Sequence, residues 1–425
     1  MLLRRAKRVK FGPVCCILFL MATFPTSATD ESIARLAQDA ACARGISWID
    51  GHGGWVTDQQ IRLTEIPAPE FGENKRAELL RSIFGEIGMK ARVDETGNVV
   101  AERVGMHTDR VVLLAAHLDT VFPAGTDVRV RREGKRLLAP GISDNGAGLA
   151  ALAGVARAFV ESSVRTDATI VFAGDVGEEG EGNLRGIRVL VDAYGSRLAA
   201  VIAIDGPSIS HITTQGVASR RLGFSIGGPG GHSWSDFGAP NPITAISRGI
   251  VQFSSIRVSE TPRSTFNFGV IEGGNSVNSI PAEASVKVDL RSESEAELSR
   301  MESALRDAMQ GGMNAEISSR RAGSDSLKMK VTSLGSRPAG KLADTSPLLQ
   351  TIRDVDRYLQ NSSRVESSST DANLPLSMKI PAVSLGGGGK GGGAHTLAEW
   401  YDPTARETGI KRLFLAALAL AGLQQ

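Results

Sequence analysis

The sequence predicts an α/β protein: a larger domain on a mostly parallel sheet, with a smaller α+β, ferredoxin-like domain inserted into it. Three observations predict this. Short β-branched runs alternate with longer helical patterns through the first half, the pattern of βαβ units with helices on both faces of a sheet. After Thr213 the order changes to β-α-β-β-α-β, that of a split βαβ unit. From Pro347 the first pattern resumes.

Taken in chain order, residues 1–28 carry Arg4, Arg5, Lys7, Arg8 and Lys10, an apolar stretch from Val14 to about Phe24, and Pro25-Thr26-Ser27-Ala28. This basic, apolar, small-residue layout is that of a secretory signal peptide cleaved near Ala28, so the expectation is an exported protein, periplasmic or secreted. The apolar part falls short of the ~20 residues that span a bilayer, so no stable membrane association is expected after its removal. Five of the 48 basic residues and none of the 46 acidic ones lie there, so the net charge of +2 becomes −3. No basic cluster remains, which excludes a nucleic-acid surface. Cys15 and Cys16 leave with the segment, and Cys42 alone cannot form an internal disulfide, so the fold must rest on a hydrophobic core. The remaining 397 of 425 residues exceed what one core usually supports, and two domains are expected.

Asn74 to Ile87 and Ala147 to Val160 read as helices; Val111 to Ala116, Thr169 to Ala173 and Val201 to Ile204 read as buried strands. The next set comprises a strand from Val217 to Ile226, a helix from Pro242 to Phe253 and strands from Thr265 to Ile271 and Ala284 to Leu290. A helix from Glu295 to Met309 and a strand from Leu327 to Thr332 complete it. In the second of those strand pairs Val286, Val288 and Leu290 alternate with Lys287 and Asp289, the period of a half-buried strand. A helix from Pro347 and a strand from Ala382 to Leu385 return to the first domain. The expected boundaries are 29–213 and 336–425 for the larger domain and 214–335 for the insertion. Glycines at 386–389 and 391–393, just before His395, suggest close backbone approach to a ligand.

Candidate chemistry sits where strands end. His117 and Asp119 close the apolar run from Leu113, two apart and so on one face, where a carboxylate can accept the second ring N–H of a metal-bound histidine. Asp144 lies in Gly141-Ile142-Ser143-Asp144-Asn145-Gly146, which opens a helix; Glu178 and Glu179 follow the strand ending at Ala173; Asp205 ends Ala203-Ile204-Asp205-Gly206; His395 follows the glycines. Singly, Asp144 also suits a helix cap, Asp205 a turn and Glu178-Glu179 a solvated pair. Together, two histidines and three carboxylates suit two zinc ions sharing a carboxylate, and a neighbouring glutamate suits a general base. In an open α/β sheet these loops can converge beyond the carboxyl ends of the strands.

In this order, His117-x-Asp119, Asp144-Asn145, Glu178-Glu179, Asp205-Gly206 and His395 resemble the two-zinc exopeptidases and deacylases of metallopeptidase family 20. These include peptidase T, carboxypeptidases of the G type, aminoacylase and succinyl-diaminopimelate desuccinylase. The resemblance runs from about residue 55 to the C-terminus. It implies a zinc-dependent exopeptidase-type catalytic domain with an inserted lid and dimerisation domain, and two zinc ions per subunit, with manganese or cobalt as alternatives. It implies that Asp144 bridges, that His117 and Asp205 complete one metal site, and that Glu179 and His395 complete the other. Asp119 would orient His117, and Glu178 would be general base and then acid. His232, in Gly230-Gly231-His232-Ser233, would reach into a partner's site and polarise the scissile carbonyl. Asn278 would bind substrate and Arg291 a substrate carboxylate. Asp371, in Thr370-Asp371-Ala372-Asn373, falls in a segment near the family's site, or caps a helix. His52, His107 and His211 belong to no motif, and surface or structural roles are expected for them.

The implied protein is an exopeptidase of short peptides resembling peptidase T, because Asp rather than Glu at 205 resembles that side of the family. Deacylation of N-acyl amino acids is the second reading, and a carboxypeptidase, suggested by Arg291, the third. A zinc-binding protein that has lost catalysis is the non-enzymatic alternative, which the retained Glu178 argues against. A homodimer through the inserted domain is expected.

Overall fold

The computed structural model describes residues 30–319 and 326–424. The proposed signal segment lies outside them. Among the described residues no helix is long and apolar enough to cross a membrane.

The larger domain is built on a nine-stranded sheet. Its centre is parallel, with Ala168–Asp175, His107–His117, Leu198–Ile204 and Ala382–Leu385 side by side. Antiparallel strands Val99–Arg103 and Ala91–Val93 finish one edge, while His211–Gly216, Arg364–Ser368 and Gly340–Lys341 build the other. Every residue from Val111 to Ala116 is buried, although successive side chains point to opposite faces. Helices therefore cover the sheet on both sides, which is why these strands read as continuous apolar runs. The helix Gly146–Ser162 is nearly all Ala, Leu, Gly and Val and is buried along its length. The helices Ala40–Gly51, Gly53–Thr64 and Arg406–Ala421 pack on it. The two N-terminal ones, preceded by Asp30–Gln38, extend the fold beyond the elements expected from sequence.

The second sheet is fully antiparallel, in the order Ser264–Gly273, Glu283–Ser292, Ala218–Gly227, Lys328–Arg337. Helices Pro242–Ser254 and Glu295–Ser318 cover one face. Leu222, Phe224, Phe253, Val286, Leu290, Met301 and Leu305 belong to a core of its own, separate from that of the large sheet. Sheet membership changes between Gly216 and Ala218 and back between Arg337 and Gly340. The second helix runs nine residues past the expected end at Met309, through Gly311 and Gly312. Those glycines do not stop it: a Cβ on Gly312 would overlap the backbone of Gly249, so glycine there lets the two helices touch.

A small sheet joins Lys390–Gly392, Trp400–Asp402, Arg136–Leu138 and Arg131–Glu133. Its short strands carry no sequence pattern of their own, and it brings the loop of His395 beside the loop of Asp144. The first part of the glycine run ahead of it packs against protein backbone. Gly386 to Gly389 are buried, and side chains at Gly386 and Gly388 would overlap the backbones of Ser208 and Arg406. Gly388 also has φ +98°, a conformation that favours glycine.

Candidate metal centre

The five proposed ligands meet beyond the carboxyl ends of the parallel strands. His117 ends its strand, Asp205 follows Ile204, and Asp144 precedes the helix Gly146–Ser162. His117 Nε2 lies 3.2 Å from Asp144 Oδ1 and 3.9 Å from Asp205 Oδ1. His395 Nε2 lies 3.2 Å from Asp144 Oδ2 and 2.9 Å from Glu179 Oε1. The two carboxylate oxygens of Asp144 thus face one imidazole each. His117 with Asp144 and Asp205, and Asp144 with Glu179 and His395, are groups whose ligand atoms fall within 4.8 Å of one another; His117, Glu178 and Glu179 form a third.

The donor set fits divalent metals. His117 Nδ1–H donates to the Asp119 carbonyl at 3.1 Å, which leaves Nε2 as a lone-pair donor toward the carboxylates. Asp144 Oδ1 is buried without a hydrogen-bond partner. Three carboxylates and two imidazoles crowded together require positive charge among them. Protons supply it when cations do not: hydrogen bonds to Asp144 and Glu179 push His395 up to about 10. His117 is also raised, because burial is outweighed by Asp119 and Asp144. Burial lifts Asp205 to about 7, with the Asp144 charge adding to it. Asp144 itself is held below the usual carboxylate range, burial being overcome by its two histidines.

Asp119 reaches the site differently from expectation. Its carboxylate lies 3.7 Å from His117 Nδ1, and the imidazole hydrogen bond goes to its carbonyl instead. The carboxylate accepts the backbone N–H groups of Glu178 at 3.0 Å and Glu179 at 2.8 Å. One residue therefore orients the histidine and fixes the glutamate pair. Glu178 is buried and pushed up to about 8, by burial first, with Arg337 opposing. Arg337 Nη1 lies 2.7 Å from Glu178 Oε1.

Three further residues shape the centre without having been singled out from sequence. Asn145, not Asp144, caps the helix: its Oδ1 accepts the Gly148 N–H at 3.1 Å, while its amide donates to the Ile204 carbonyl at 2.8 Å. That ties the Asp144 loop to the strand ahead of Asp205. The peptide between Asp144 and Asn145 is cis. Glu399 is fully buried and accepts four hydrogen bonds of 2.8 Å, from the N–H groups of Gly141, Ser143 and Asp144 and from the Ser143 hydroxyl. Arg337 is the third. Asn145 stands beside a singled-out aspartate at a helix start, a readable signal; Glu399 and Arg337 carry none.

Asp371 is buried behind the site and does not cap the following helix, whose capping position is Ala372. Burial, and the charge of Asp175, raise it well above its ordinary range.

His232, Asn278 and Arg291 are not brought to the cluster. His232 is exposed, and its Nδ1 accepts the N–H groups of Trp234 and Ser235 in its own loop. Asn278 neighbours it across a two-residue strand pair, Gly231–His232 with Ser279–Ile280, and accepts from the Ser276 hydroxyl. Arg291 pairs with Asp289 at 2.7 Å and lines a cavity of about 230 Å³ with Arg263 and Ser367–Ser369.

A clustered imidazole–carboxylate centre at the mouth of a parallel α/β sheet, beside a second domain, defines a metallohydrolase architecture. A model of Peptidase family M20/M25/M40 matches residues 113–419, and the chain belongs to that family. Family membership makes it a metal-binding hydrolase of the peptidase type. A Pyrococcus furiosus protein provisionally named [LysW]-lysine/[LysW]-ornithine hydrolase is 38% identical over 119 residues, 28% of this chain and 33% of its own. The chain thus spans about a third of the length of that curated relative. Among solved structures, aminopeptidase PepT from Bacillus cereus superposes with a TM-score of 0.67 at 18% identity, covering 87% of this chain and 99% of that one. The Bacillus subtilis YXEP protein, titled a dinuclear metal binding peptidase, gives 0.62 at 17% identity, covering 87% and 98%. These likenesses show the shared fold.

The expectation of export does not stand. The curated relatives from Pyrococcus and Thermococcus are named as [LysW]-lysine/[LysW]-ornithine hydrolases and not as exported peptidases, and residues 1–28 lie outside the described structure.

Proposed function

We propose that this chain is a two-metal exopeptidase of short peptides, like peptidase T in its reaction, with a lid between Gly216 and Gly340, a few residues later in the chain than the 214–335 expected from sequence, and the larger domain on either side of it. The observation that carries the proposal is the placement of Asp144 between His117 and His395, at 3.2 Å from each, with Glu178 beside them. His117, Asp144 and Asp205 would hold one ion and Asp144, Glu179 and His395 the other, zinc being the expected metal. When bound, such ions supply a Lewis acid and lower the pKa of a coordinated water toward 7.

Glu178 serves as proton carrier. Its Oε1 is engaged by Arg337, so Oε2 is the oxygen left to take a proton from the attacking water and return it to the leaving nitrogen. Asp119 keeps Glu178 and Glu179 at fixed spacing through their backbone N–H groups. His232 would polarise the carbonyl from a second copy of the chain, with Asn278 beside it binding substrate. Trp234, Phe237 and Val277, exposed at 87%, 79% and 103%, surround that pair and support a homodimer in which this face is covered.

The cavity lined by Arg263 and Arg291 favours a second reading, in which a substrate carboxylate binds there, as in an N-acyl amino acid or an acidic C-terminal residue. Free, N-blocked and C-blocked dipeptides, offered with N-acyl amino acids to the zinc-loaded protein, separate the readings. Glu178→Gln should lower kcat on the order of 10³-fold or more on whichever substrate is cleaved. Wild-type kcat in that variant refutes Glu178 as proton carrier, and a loaded wild type inert toward every substrate favours a binding protein without catalysis.

A further inference from the structure

Arg337 ends the last strand of the second sheet and is 3% exposed. Its Nη1 donates to Glu178 Oε1 at 2.7 Å and to the Ser369 hydroxyl at 3.0 Å, while Nη2 donates to the Glu178 carbonyl. One planar guanidinium therefore grips Glu178 at carboxylate and backbone together, a geometry that lysine cannot reproduce. Ser369 holds the guanidinium from the large domain, just past the strand Arg364–Ser368. At the next residue, Pro338, the chain leaves the second sheet, and it re-enters the first at Gly340. Arg337 is thus the point at which the inserted unit touches the proposed proton carrier.

We propose that Arg337 is a positioning residue for the reaction: it fixes the Glu178 carboxylate and aligns it only when the last strand of the inserted unit is seated against the large domain. The inference rests on the reading of Glu178 given above. A misplacement of about 1 Å in such a group can cost about 10²-fold in rate.

The test uses the full chain loaded with two equivalents of zinc and a dipeptide that the wild type cleaves. Arg337→Gln should lower kcat about 100-fold with KM within about threefold. Arg337→Lys, which keeps the charge and one of the two contacts, should recover kcat to within about tenfold of wild type. A readout free of activity accompanies these. In thermal unfolding without metal, Glu178→Gln/Arg337→Gln should melt above Arg337→Gln alone, because the double variant no longer buries a carboxylate stripped of its partner. Arg337→Gln with wild-type kcat, or with only a raised KM, overturns the proposal while an inactive Glu178→Gln leaves the proton-carrier reading standing. If Glu178→Gln keeps wild-type kcat, the reading itself fails and takes the proposal with it. Should Arg337→Gln not fold, the lysine variant decides: wild-type kcat there overturns the proposal.

Discussion

Glu399→Gln changes one buried atom and so isolates what the charge at that position does. The carboxylate accepts three donors on Oε1, from Ser143 N–H, Ser143 O–H and Asp144 N–H, and one on Oε2, from Gly141 N–H. An amide oxygen can replace Oε1, but the NH₂ group then meets the Gly141 N–H, donor against donor. The variant loses one charge-assisted bond outright, worth about 1.5–3 kcal/mol, and weakens three others to neutral strength. A cost of about 3 kcal/mol follows, even after crediting the lower desolvation of an amide. At roughly 2 °C per kcal/mol for a large domain, the apparent melting temperature should drop by about 6 °C. The segment that loses these bonds carries Asp144, so bound zinc, measured by elemental analysis after dialysis, should fall below two equivalents per chain. Melting within 1 °C of wild type with two equivalents retained would refute the view that this carboxylate shapes the Asp144 loop.

His395→Ala should leave the chain folded with one metal equivalent, since His117, Asp144 and Asp205 remain, and should lower kcat at least 10²-fold; retention of two equivalents by elemental analysis counts against the ligand assignment. Gly148→Ala should destabilise by more than a helix-favouring substitution normally gains, because the new Cβ overlaps the Asn145 side chain that caps the helix; an unchanged melting temperature would be inconsistent with that packing. Chelated protein should melt lower at pH 9 than at pH 6. Glu178, Asp205 and His395 all bind protons more tightly folded than unfolded, so their stabilisation is complete below their unfolded values and is lost as pH rises. For the carboxyls the loss runs from about 4 to about 8, and for His395 from about 6.5 to about 10. Asp144, lowered instead, acts in the opposite direction only at acid pH. Zinc competes for the same atoms, so the melting temperature gained on loading should grow across this range in differential scanning calorimetry.

The strands that carry the centre were legible because burial on both faces writes itself as unbroken Val, Ile, Leu and Ala, as in Val111 to Ala116. The proposed ligands were legible because each stands at a strand end or helix start. What could not be read is closure between distant segments. Glu399 serves a loop some 255 residues earlier, and Arg337 a glutamate 159 residues earlier; neither has a local pattern that announces its partner. The helix expected to end at Met309 runs on through Gly311 and Gly312, because the close approach that Gly312 allows is to a helix distant in sequence. The spacing of Asp119 to His117 points to one task, and the fold gives its carboxylate another, because the loop after Asp175 presents the N–H groups of Glu178 and Glu179 to it.

Gly340 lies directly opposite Gly216 in the antiparallel pairing at the sheet edge, so the chain leaves for the inserted unit and returns from it about one strand spacing, some 4.8 Å, apart. Two tethers that close together make one narrow junction at the sheet edge. The insertion could grow, shrink or be exchanged over evolution without any strand of the large sheet having to shift. Arg337 sits at the root of the unit, three residues before that crossing, where a change in how the unit is seated meets the Glu178 loop first.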